Sequence, residues 1–159
     1  MPSDDSEKLE RRAKNILLHR LSRSMRTRHE LQQVLKKREI PDDIAFQVLN
    51  RFEEAQLIDD TVYAEAFVRA RLQLGKSVSM IRRELRRKGV ADSLIAISTA
   101  EISSEQEQQL ANELALSRMR RMSSLERDVA ERRLLGFLQR RGFSQQLAFR
   151  AVRNALGPR

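Results

Sequence analysis

A short pattern recurs three times along the chain, as LKKREI at Leu35–Ile40, LRRKGV at Leu85–Val90 and LQRRGF at Leu138–Phe143. In each copy a Leu is followed by basic residues, and a large apolar residue comes five positions after the Leu. The copies begin 50 and 53 residues apart. Repetition at this period is typical of proteins whose small units cannot bury a core alone and stack on their neighbours. The chain is therefore restricted to an array of similar units.

The residues around each copy predict a helix that ends in a tight turn and is followed by another helix. An apolar residue stands four positions before each Leu, and such pairs form one apolar stripe on a helix. Gly89 and Gly142 stand where a helix end favours positive φ, whereas Glu39 in the first copy departs from that pattern. Residue types that suit a helix start follow each turn, at Pro41-Asp42-Asp43, Asp92 and Ser144.

Composition and capping signals extend this prediction to an all-α chain. Five Gly and three Pro in 159 residues leave little turn chemistry for a β-protein. Capping-box spacings at Ser104–Glu107 and Ser123–Glu126 predict two further helix starts. We expect three tandem three-helix repeats, residues 1–58, 59–103 and 104–159, stacked into an elongated, curved array. The nine predicted helices span residues 7–22, 25–38, 42–56, 60–74, 77–88, 91–102, 104–121, 125–141 and 144–156.

The net charge of +9 is spread unevenly over the chain. Residues 1–60 hold 12 basic and 12 acidic groups, residues 69–88 hold eight against one, and residues 110–159 hold eleven against four. Arg accounts for 25 of the 31 basic residues, and its planar fork suits phosphate and carboxylate. A high-GC coding bias is an alternative explanation of the Arg preference, but it does not explain the net charge. A polyanion or an acidic protein surface is the expected partner.

The sequence offers no recognisable catalytic, metal or cofactor site. It has no Cys, and its five Gly are scattered singly, which excludes a Gly-rich phosphate loop. His19 and His29 lack metal-site spacing and are predicted to lie on helix surfaces or interfaces. No apolar run is long enough to span a membrane, and the acidic start does not resemble a signal peptide. We expect a soluble, cytoplasmic monomer that is not an enzyme and needs no cofactor.

The stretch from Met80 to Val90 concentrates five basic residues on one predicted helix. Ile81 and Leu85 face inward there, while Arg82 with Arg86 and Arg83 with Arg87 form outward i, i+4 pairs. Like charges at this spacing cost roughly a few tenths of a kcal/mol per pair, and one acid offsets only part of that. A partner that neutralises the cluster is the functional interpretation. The alternative is that basic side chains at a helix C-terminus simply suit the helix dipole.

A second basic set spans two predicted helices in the last third of the chain and comprises Arg118, Arg120, Arg121, Arg127, Arg132, Arg133, Arg140 and Arg141. Nearby acids, among them Glu126 and Glu131, are close enough in sequence to pair with some of these residues. From both sets we select candidate contact residues for a partner protein or for DNA. They are Arg71, Lys76, Arg82, Arg83, Arg86, Arg87, Lys88, Arg132, Arg133, Arg140 and Arg141.

The stretch AQLIDDTVYAEAFVRARLQLGKSVSMIRRELRRKGV, residues 55–90, resembles the RecX family of recombinase regulators. The similarity runs from about residue 10 to 156 and is weakest in the third repeat. Gln56 departs from it, since the family commonly has Gly there, and this predicts an ordinary helix end rather than a positive-φ cap. The residues that carry the resemblance are Leu57, Asp60, Tyr63, Ala64, Phe67, Arg71, Gly75, Ile81, Glu84, Leu85, Lys88 and Gly89, with Ala13, Leu17, Leu21, Glu30, Leu31, Leu35, Ile40 and Pro41 in the first repeat.

The resemblance implies tandem three-helix repeats and a function that no spacing shows. It implies binding to RecA and to the RecA filament on single-stranded DNA, with inhibition of strand exchange, ATPase and co-protease activities. Among the candidate contact residues it supports only Arg71 and Lys88 by position. Weak direct binding to nucleic acid is also expected from the charge.

Two other functions are compatible with the sequence. One is a sequence-tolerant DNA-binding protein, or a helix-turn-helix regulator, that acts without RecA. The segments after the three turns, IPDDIAFQVL, VADSLIAIS and FSQQLAFRAV, are apolar or acidic at their starts, which argues against base reading by the second helix. The other is a repeat scaffold for a different partner, which the sequence does not distinguish.

Overall fold

The computed structural model describes residues 3–158, which form nine α-helices and one short 3-10 helix, with no β-strand among them. The all-α prediction with nine helices is confirmed. The 3-10 helix covers Arg120–Met122. The α-helices are α1 (Asp4–Leu21), α2 (Arg28–Lys37), α3 (Asp42–Glu54), α4 (Asp60–Gln73), α5 (Val78–Arg87), α6 (Asp92–Thr99), α7 (Ser104–Met119), α8 (Arg127–Arg140) and α9 (Gln145–Leu156).

The repeated sequence pattern ends α2, α5 and α8 in the same way. In each copy the N–H of the last apolar residue donates to the C=O of the first Leu, over 3.0 Å in Ile40–Leu35, 3.1 Å in Val90–Leu85 and 3.2 Å in Phe143–Leu138. This bond is the one that closes a Schellman motif at a helix C-terminus. The apolar stripe before each turn is fully buried, as predicted, at Leu31, Leu35, Ile81, Leu85, Leu134 and Leu138.

The residue that begins each of these turns has positive φ, 62° at Glu39, 81° at Gly89 and 93° at Gly142. Glu39 therefore departs from the pattern in its side chain but not in its backbone. Gln56 also has positive φ, 59°, so the prediction of an ordinary helix end there is wrong. The reason is that the Leu57 N–H donates to the Phe52 C=O, which closes the same kind of turn.

Close packing, in addition to φ, requires glycine at two of these positions. A Cβ on Gly89 would lie 2.2 Å from the Cβ of His29, and one on Gly142 would lie 2.4 Å from the Ser77 Oγ. Glu39 is exposed, so its side chain extends into solvent. The first copy therefore accepts a side chain that the other two copies exclude.

Two helix starts differ from the capping boxes that the sequence predicts. The box before α7 joins Ser103 and Gln106, one residue earlier than Ser104–Glu107. This register leaves the Glu107 carboxylate free to accept the N–H of Val78, over 3.0 Å. The box predicted at Ser123–Glu126 is absent, because the chain turns there after the 3-10 helix and Glu126 caps α8 without a side-chain hydrogen bond.

By their contacts, the residues divide into two compact units. The first unit comprises the chain up to Ala66 together with Leu85–Ile95, and in it α1 and α2 pack on α3 around a core that includes Leu17 and Leu49. The second comprises Phe67–Glu84 and the chain from Ala96, and in it α7, α8 and α9 pack on one another. The predicted middle repeat, residues 59–103, contributes to both units, and the predicted repeat boundaries remain predictions.

In the first unit, the start of α2 packs against the end of α5 through a fully buried threonine. The Thr27 hydroxyl accepts the N–H of Glu30 over 3.1 Å and donates to the C=O of Lys88 over 2.6 Å. Asp60 completes this cap, because its Oδ1 accepts the N–H of Arg28 over 3.0 Å. One residue thus caps its own helix and binds the carbonyl end of another.

In the second unit, the start of α5 packs against the end of α8 in a similar way. Ser77 is fully buried, its hydroxyl accepts the N–H of Met80 over 3.1 Å, and its own N–H donates to the C=O of Arg141 over 3.1 Å. The Glu107 carboxylate accepts the N–H of Val78, just as the Asp60 carboxylate accepts the N–H of Arg28 in the first unit. Thr27 and Ser77, which are 50 residues apart, therefore have equivalent roles in joining a helix start to a helix end.

Candidate functional site

The solvent face of α5 carries the cluster that the sequence singles out. Ile81 and Leu85 are fully buried, and the four arginines between and after them are exposed, as the helical spacing predicts. Because the apolar stripe fixes the rotation of the helix, the guanidinium groups cannot turn toward the core. The exposed residues are Arg82, Arg83, Arg86 and Arg87.

The four arginines differ in what they contact. The Nε of Arg82 donates to the Thr99 Oγ1 over 3.1 Å, and the Nε of Arg86 donates to the Asp92 Oδ1 over 3.1 Å. Within residues 3–158, neither Arg83 nor Arg87 forms an ion pair or a side-chain hydrogen bond. Arg83 and Arg87 thus keep their full hydrogen-bonding capacity for an external partner.

Three other candidates near α5 are bound within the protein or partly covered. The Nε of Arg71 lies 2.9 Å from the Glu84 Oε2, and its guanidinium stacks 4.5 Å from the centre of the Phe67 ring. The Nζ of Lys88 lies 3.8 Å from the Glu30 Oε2, and Lys76 is half-buried. Arg71 therefore acts first as a structural residue, since a charged pair stacked on an aromatic ring holds the α4 and α5 segments of the second unit together.

The second basic set forms a groove in the second unit with a volume of about 510 Å³. The structure brings Arg132, Arg133 and Arg140 of α8 together with Arg118 of α7. The groove contains no carboxylate among its lining residues, and its remaining walls are apolar or glycine. Those remaining residues are Met122, Val129 and Gly136.

Arg141 belongs to the predicted set but does not line this groove. Its Nη1 donates to the C=O of Leu74, and its guanidinium lies 5.1 Å from the centre of the Phe137 ring. Arg127 likewise turns inward and donates to the C=O groups of Leu156 and Gly157. Sequence reasoning did not separate these residues from their neighbours, because adjacent arginines on one helix carry the same charge signal.

Asp60, the first residue of α4, caps the start of α2, and the pKa of its carboxyl is raised above the usual value. Burial raises the pKa of this carboxyl, the hydrogen bond from the Arg28 N–H lowers it, and the nearby charge of Glu53 raises it further. The position is one of the resemblance residues, and its role here is to cap a helix. Burial removes water from the carboxylate, and the hydrogen bond from Arg28 only partly compensates for that loss.

No group of three or more His, Asp or Glu side chains that could hold a metal ion occurs within the described part of the chain. None of the helices between residues 3 and 158 has both the length and the apolar character to cross a membrane.

Three family models match successive segments of the chain. They describe the first, second and third three-helix domains of RecX, and they match residues 13–52, 59–97 and 105–152. The chain belongs to the RecX family. Regulatory protein RecX of Streptomyces coelicolor is 42% identical over 145 residues, which cover 91% of this chain and 77% of that protein. Regulatory protein RecX of Mycolicibacterium smegmatis is 41% identical over 155 residues, covering 94% and 82%.

Solved RecX structures have the same fold. A crystal structure of regulatory protein RecX, 29% identical, superposes with a TM-score of 0.75 and covers 90% of this chain and 71% of that one. RecX from Lactobacillus salivarius superposes with a TM-score of 0.80 and covers 94% of this chain and 97% of that one. At 23% identity, the second likeness shows the fold alone. The prediction of three three-helix repeats is confirmed.

The residues that signal RecX membership serve mainly to build the fold. Phe67, Arg71 and Glu84 form the stacked ion pair, and Asp60 caps α2. The exposed arginines without internal partners lie outside this set. The motif residues that identify the RecX family and the exposed arginines without internal partners are therefore different side chains.

Proposed function

We propose that this RecX chain regulates RecA negatively by binding to RecA and to its filament on single-stranded DNA. It acts in the cytoplasm as a stoichiometric binding protein rather than an enzyme, and it inhibits strand exchange, ATPase and co-protease activities. Membership of a family of regulatory proteins supports this proposal, and so does the exposed arginine face of α5. Similarity to the family in all three domains supports the same role for this chain.

The observation that carries the proposal is the pair of unpartnered arginines on α5. The acids close to them are already engaged, because Glu84 binds Arg71 and Asp92 binds Arg86. Arg83 and Arg87 consequently retain uncompensated charge one helical turn apart, where they repel each other. An acidic surface of RecA would remove this repulsion on binding, and charge complementarity of this kind favours fast and specific association.

The double variant Arg83→Gln/Arg87→Gln tests this surface. We expect the concentration that half-inhibits RecA strand exchange and DNA-dependent ATPase to rise roughly tenfold, because each lost charge pair weakens association. The matched control is Arg11→Gln/Arg12→Gln, which removes the same charge from exposed positions of α1. Equal inhibition by wild type and the α5 variant would show that another surface contacts RecA.

The alternative is a DNA-binding protein that acts without RecA. Comparing binding to naked and to RecA-coated single-stranded DNA distinguishes the two functions. We expect tighter binding to the coated strand, with a shallower dependence on salt than binding through phosphates alone produces. Equal binding to both, with no effect on RecA, would favour the alternative.

A further inference from the structure

An apolar groove with a volume of about 570 Å³ lies in the first unit, where the end of α1, the α1–α2 loop, the α3–α4 turn and the start of α4 meet. Among the described residues nine large apolar side chains are exposed, and four of the nine line this groove. Apolar side chains gathered in a concave site are typical of a surface that binds a partner. The four are Leu18, Met25, Leu57 and Val62, each 46% to 51% exposed.

Leu57 is exposed at a position that the other turns of the same kind bury. It follows Gln56, which has positive φ, and its N–H closes the turn on the C=O of Phe52. A Schellman motif commonly packs the side chain at this position against the helix that it ends. Here Ile58 is buried instead, so the Leu57 side chain remains on the groove. The equivalent residues of the three repeated turns are at most 4% exposed, at Ile40, Val90 and Phe143.

Arginines of the α1–α2 loop give this groove a positive edge. Residues 20–28 hold four Arg and no acid, and Arg26 lines the groove itself. The Arg26 guanidinium is held weakly, since its Nη1 lies 3.9 Å from the Glu30 Oε2 and its Nε is buried with no hydrogen-bond partner in the described chain. Within residues 3–158, Arg20 and Arg23 form no ion pair or side-chain hydrogen bond. These guanidinium groups therefore keep donors for an external carboxylate.

We infer that this groove binds an acidic, amphipathic helix of a partner protein. Apolar side chains at i and i+4 of such a helix enter between Leu18, Leu57 and Val62, in the helix-in-groove mode. Its carboxylates meet the arginines of the α1–α2 loop, and charge complementarity of this kind favours fast and specific association. Asp59, the one acid among the described lining residues, is engaged within the protein, because its Oδ1 accepts the N–H groups of Thr61 and Val62.

The lining of the groove favours a protein over a nucleic acid. The centre of a protein interface is depleted of charged residues, whereas interfaces with nucleic acid are more polar and far more positively charged. Here apolar side chains form most of the lining and the arginines lie along one edge, so a nucleic-acid strand would leave the apolar surface uncovered. Arg83 and Arg87 do not line the groove, which is therefore separate from the α5 surface proposed to bind RecA.

The double variant Leu57→Ser/Val62→Ser tests the groove on the whole chain, with RecA and DNA absent. The probe is a labelled helical peptide of about 15 residues, with Leu at i, i+4 and i+7 and Glu on its other faces. We expect its dissociation constant to rise roughly tenfold, because two apolar contacts at the centre of the interface are lost. No binding of the peptide by wild type at low salt would overturn the inference.

The matched control is Ile97→Ser/Phe149→Ser, which removes two exposed apolar side chains that do not line the groove. We expect this control to bind the peptide as wild type does, and an equal loss of affinity would show non-specific apolar binding and contradict the groove. The four substituted side chains are 44% to 64% exposed, so the midpoint of thermal unfolding should stay close to that of wild type in both variants.

Arg23→Gln/Arg26→Gln tests the positive edge separately. The dissociation constant of the peptide should rise several-fold at low salt, and the difference should vanish at high salt. Arg11→Gln/Arg12→Gln removes the same charge from exposed positions of α1 and should bind the peptide normally. Equal weakening in both variants, or equal binding of a peptide with Lys in place of Glu, would show that the edge does not select an acidic helix.

Other occupants of the groove give different results. A thymidine oligomer that displaces the peptide and loses affinity in Leu57→Ser/Val62→Ser would identify a nucleic-acid site. A wild-type dimer that becomes a monomer in the same variant, measured by sedimentation, would show that a second copy fills the groove. Either result would overturn the inference. Because the probe contains no RecA, a failure to bind it leaves the proposed action on RecA intact, and Arg83→Gln/Arg87→Gln should bind the peptide normally.

Discussion

Positive φ at the ends of α2, α5 and α8 has different consequences for the side chain at each position. Glu39 extends into solvent, so its cost is the backbone strain of a non-glycine residue in the left-handed region. At Gly89 the same backbone lies against the His29 side chain, with no room for a Cβ. One turn type is thus tolerant of sequence in the first repeat and restrictive in the second.

Substitutions at these two positions should change stability in opposite directions. We expect Gly89→Ala to lower the free energy of unfolding by about 2–4 kcal/mol, because left-handed strain adds to an overlap with His29. Glu39→Gly should raise it by about 0.5–1 kcal/mol, because it relieves the left-handed strain. Urea denaturation of both variants measures the difference. A loss of stability in Glu39→Gly would contradict the strain at that position.

At the scale of the elements, helix starts are held by side chains from other helices. Thr27 and Ser77 are fully buried. The Thr27 hydroxyl donates to the C=O of Lys88, and the backbone N–H of Ser77 donates to the C=O of Arg141. Asp60 and Glu107 supply carboxylates to the first turns of α2 and α5, where negative charge is favourable. Each junction therefore combines capping with tertiary packing.

Asp60→Asn should change the pH dependence of stability. Burial raises the pKa of Asp60 in the folded state, so the folded protein binds more protons than the unfolded one between the unfolded pKa of about 3.9 and that raised value. The Asp60 contribution is therefore fully present below pH 3.9 and is lost as pH rises through the raised pKa. Asparagine retains the acceptor for the Arg28 N–H but does not ionise.

Urea denaturation of wild type and Asp60→Asn from pH 3 to pH 7 measures this contribution. We expect the stability of the variant relative to wild type to increase as pH rises from about 3.9 and then to level off. A relative stability that falls over this range would show that the carboxylate is stabilised in its charged form.

At the scale of the whole molecule, the excess positive charge has two uses. Arg71, Arg127 and Arg141 turn inward and bind carboxylate, carbonyl groups or an aromatic ring. The guanidinium groups of Arg83 and Arg87 have no internal partner within the described chain. Some arginines therefore stabilise the fold, whereas Arg83 and Arg87 repel each other on the surface of α5.

These two uses predict opposite stability effects. We expect Arg71→Gln to lower the free energy of unfolding by about 1–2 kcal/mol, because it removes a half-buried ion pair and a cation–π contact. Arg83→Gln/Arg87→Gln should raise it by a few tenths of a kcal/mol at low salt, and the gain should vanish at high salt. Thermal or urea unfolding at two salt concentrations measures both. A destabilised α5 double variant would reveal an internal role for those arginines.

Sequence patterns predicted the helices well where the signal is local. The three turns follow from apolar spacing and from Gly89 and Gly142. The turn at Gln56, two capping boxes and several helix bounds were predicted wrongly, among them the start of α2, which is at Arg28 rather than residue 25, and the end of α6, which is at Thr99 rather than residue 102. The turn at Gln56 and the cap of α7 are closed by bonds between residues three to five positions apart, so their errors lie in reading local spacing. The Thr27–Glu30 spacing could have revealed the cap of α2, since it fits a capping box, but the bond from Thr27 to Lys88 has no sequence signal.

The sequence by itself determined the number of helices, the repeated turns, the buried stripes and the family, because each depends on residues a few positions apart or on a motif read in order. Only the tertiary structure decided which arginines are free. It paired Arg71 with Glu84, turned Arg141 inward, and joined Arg118 to the α8 arginines in one groove. Charge along a chain does not reveal this division, because a guanidinium's partners come from other helices and exist only once those helices pack.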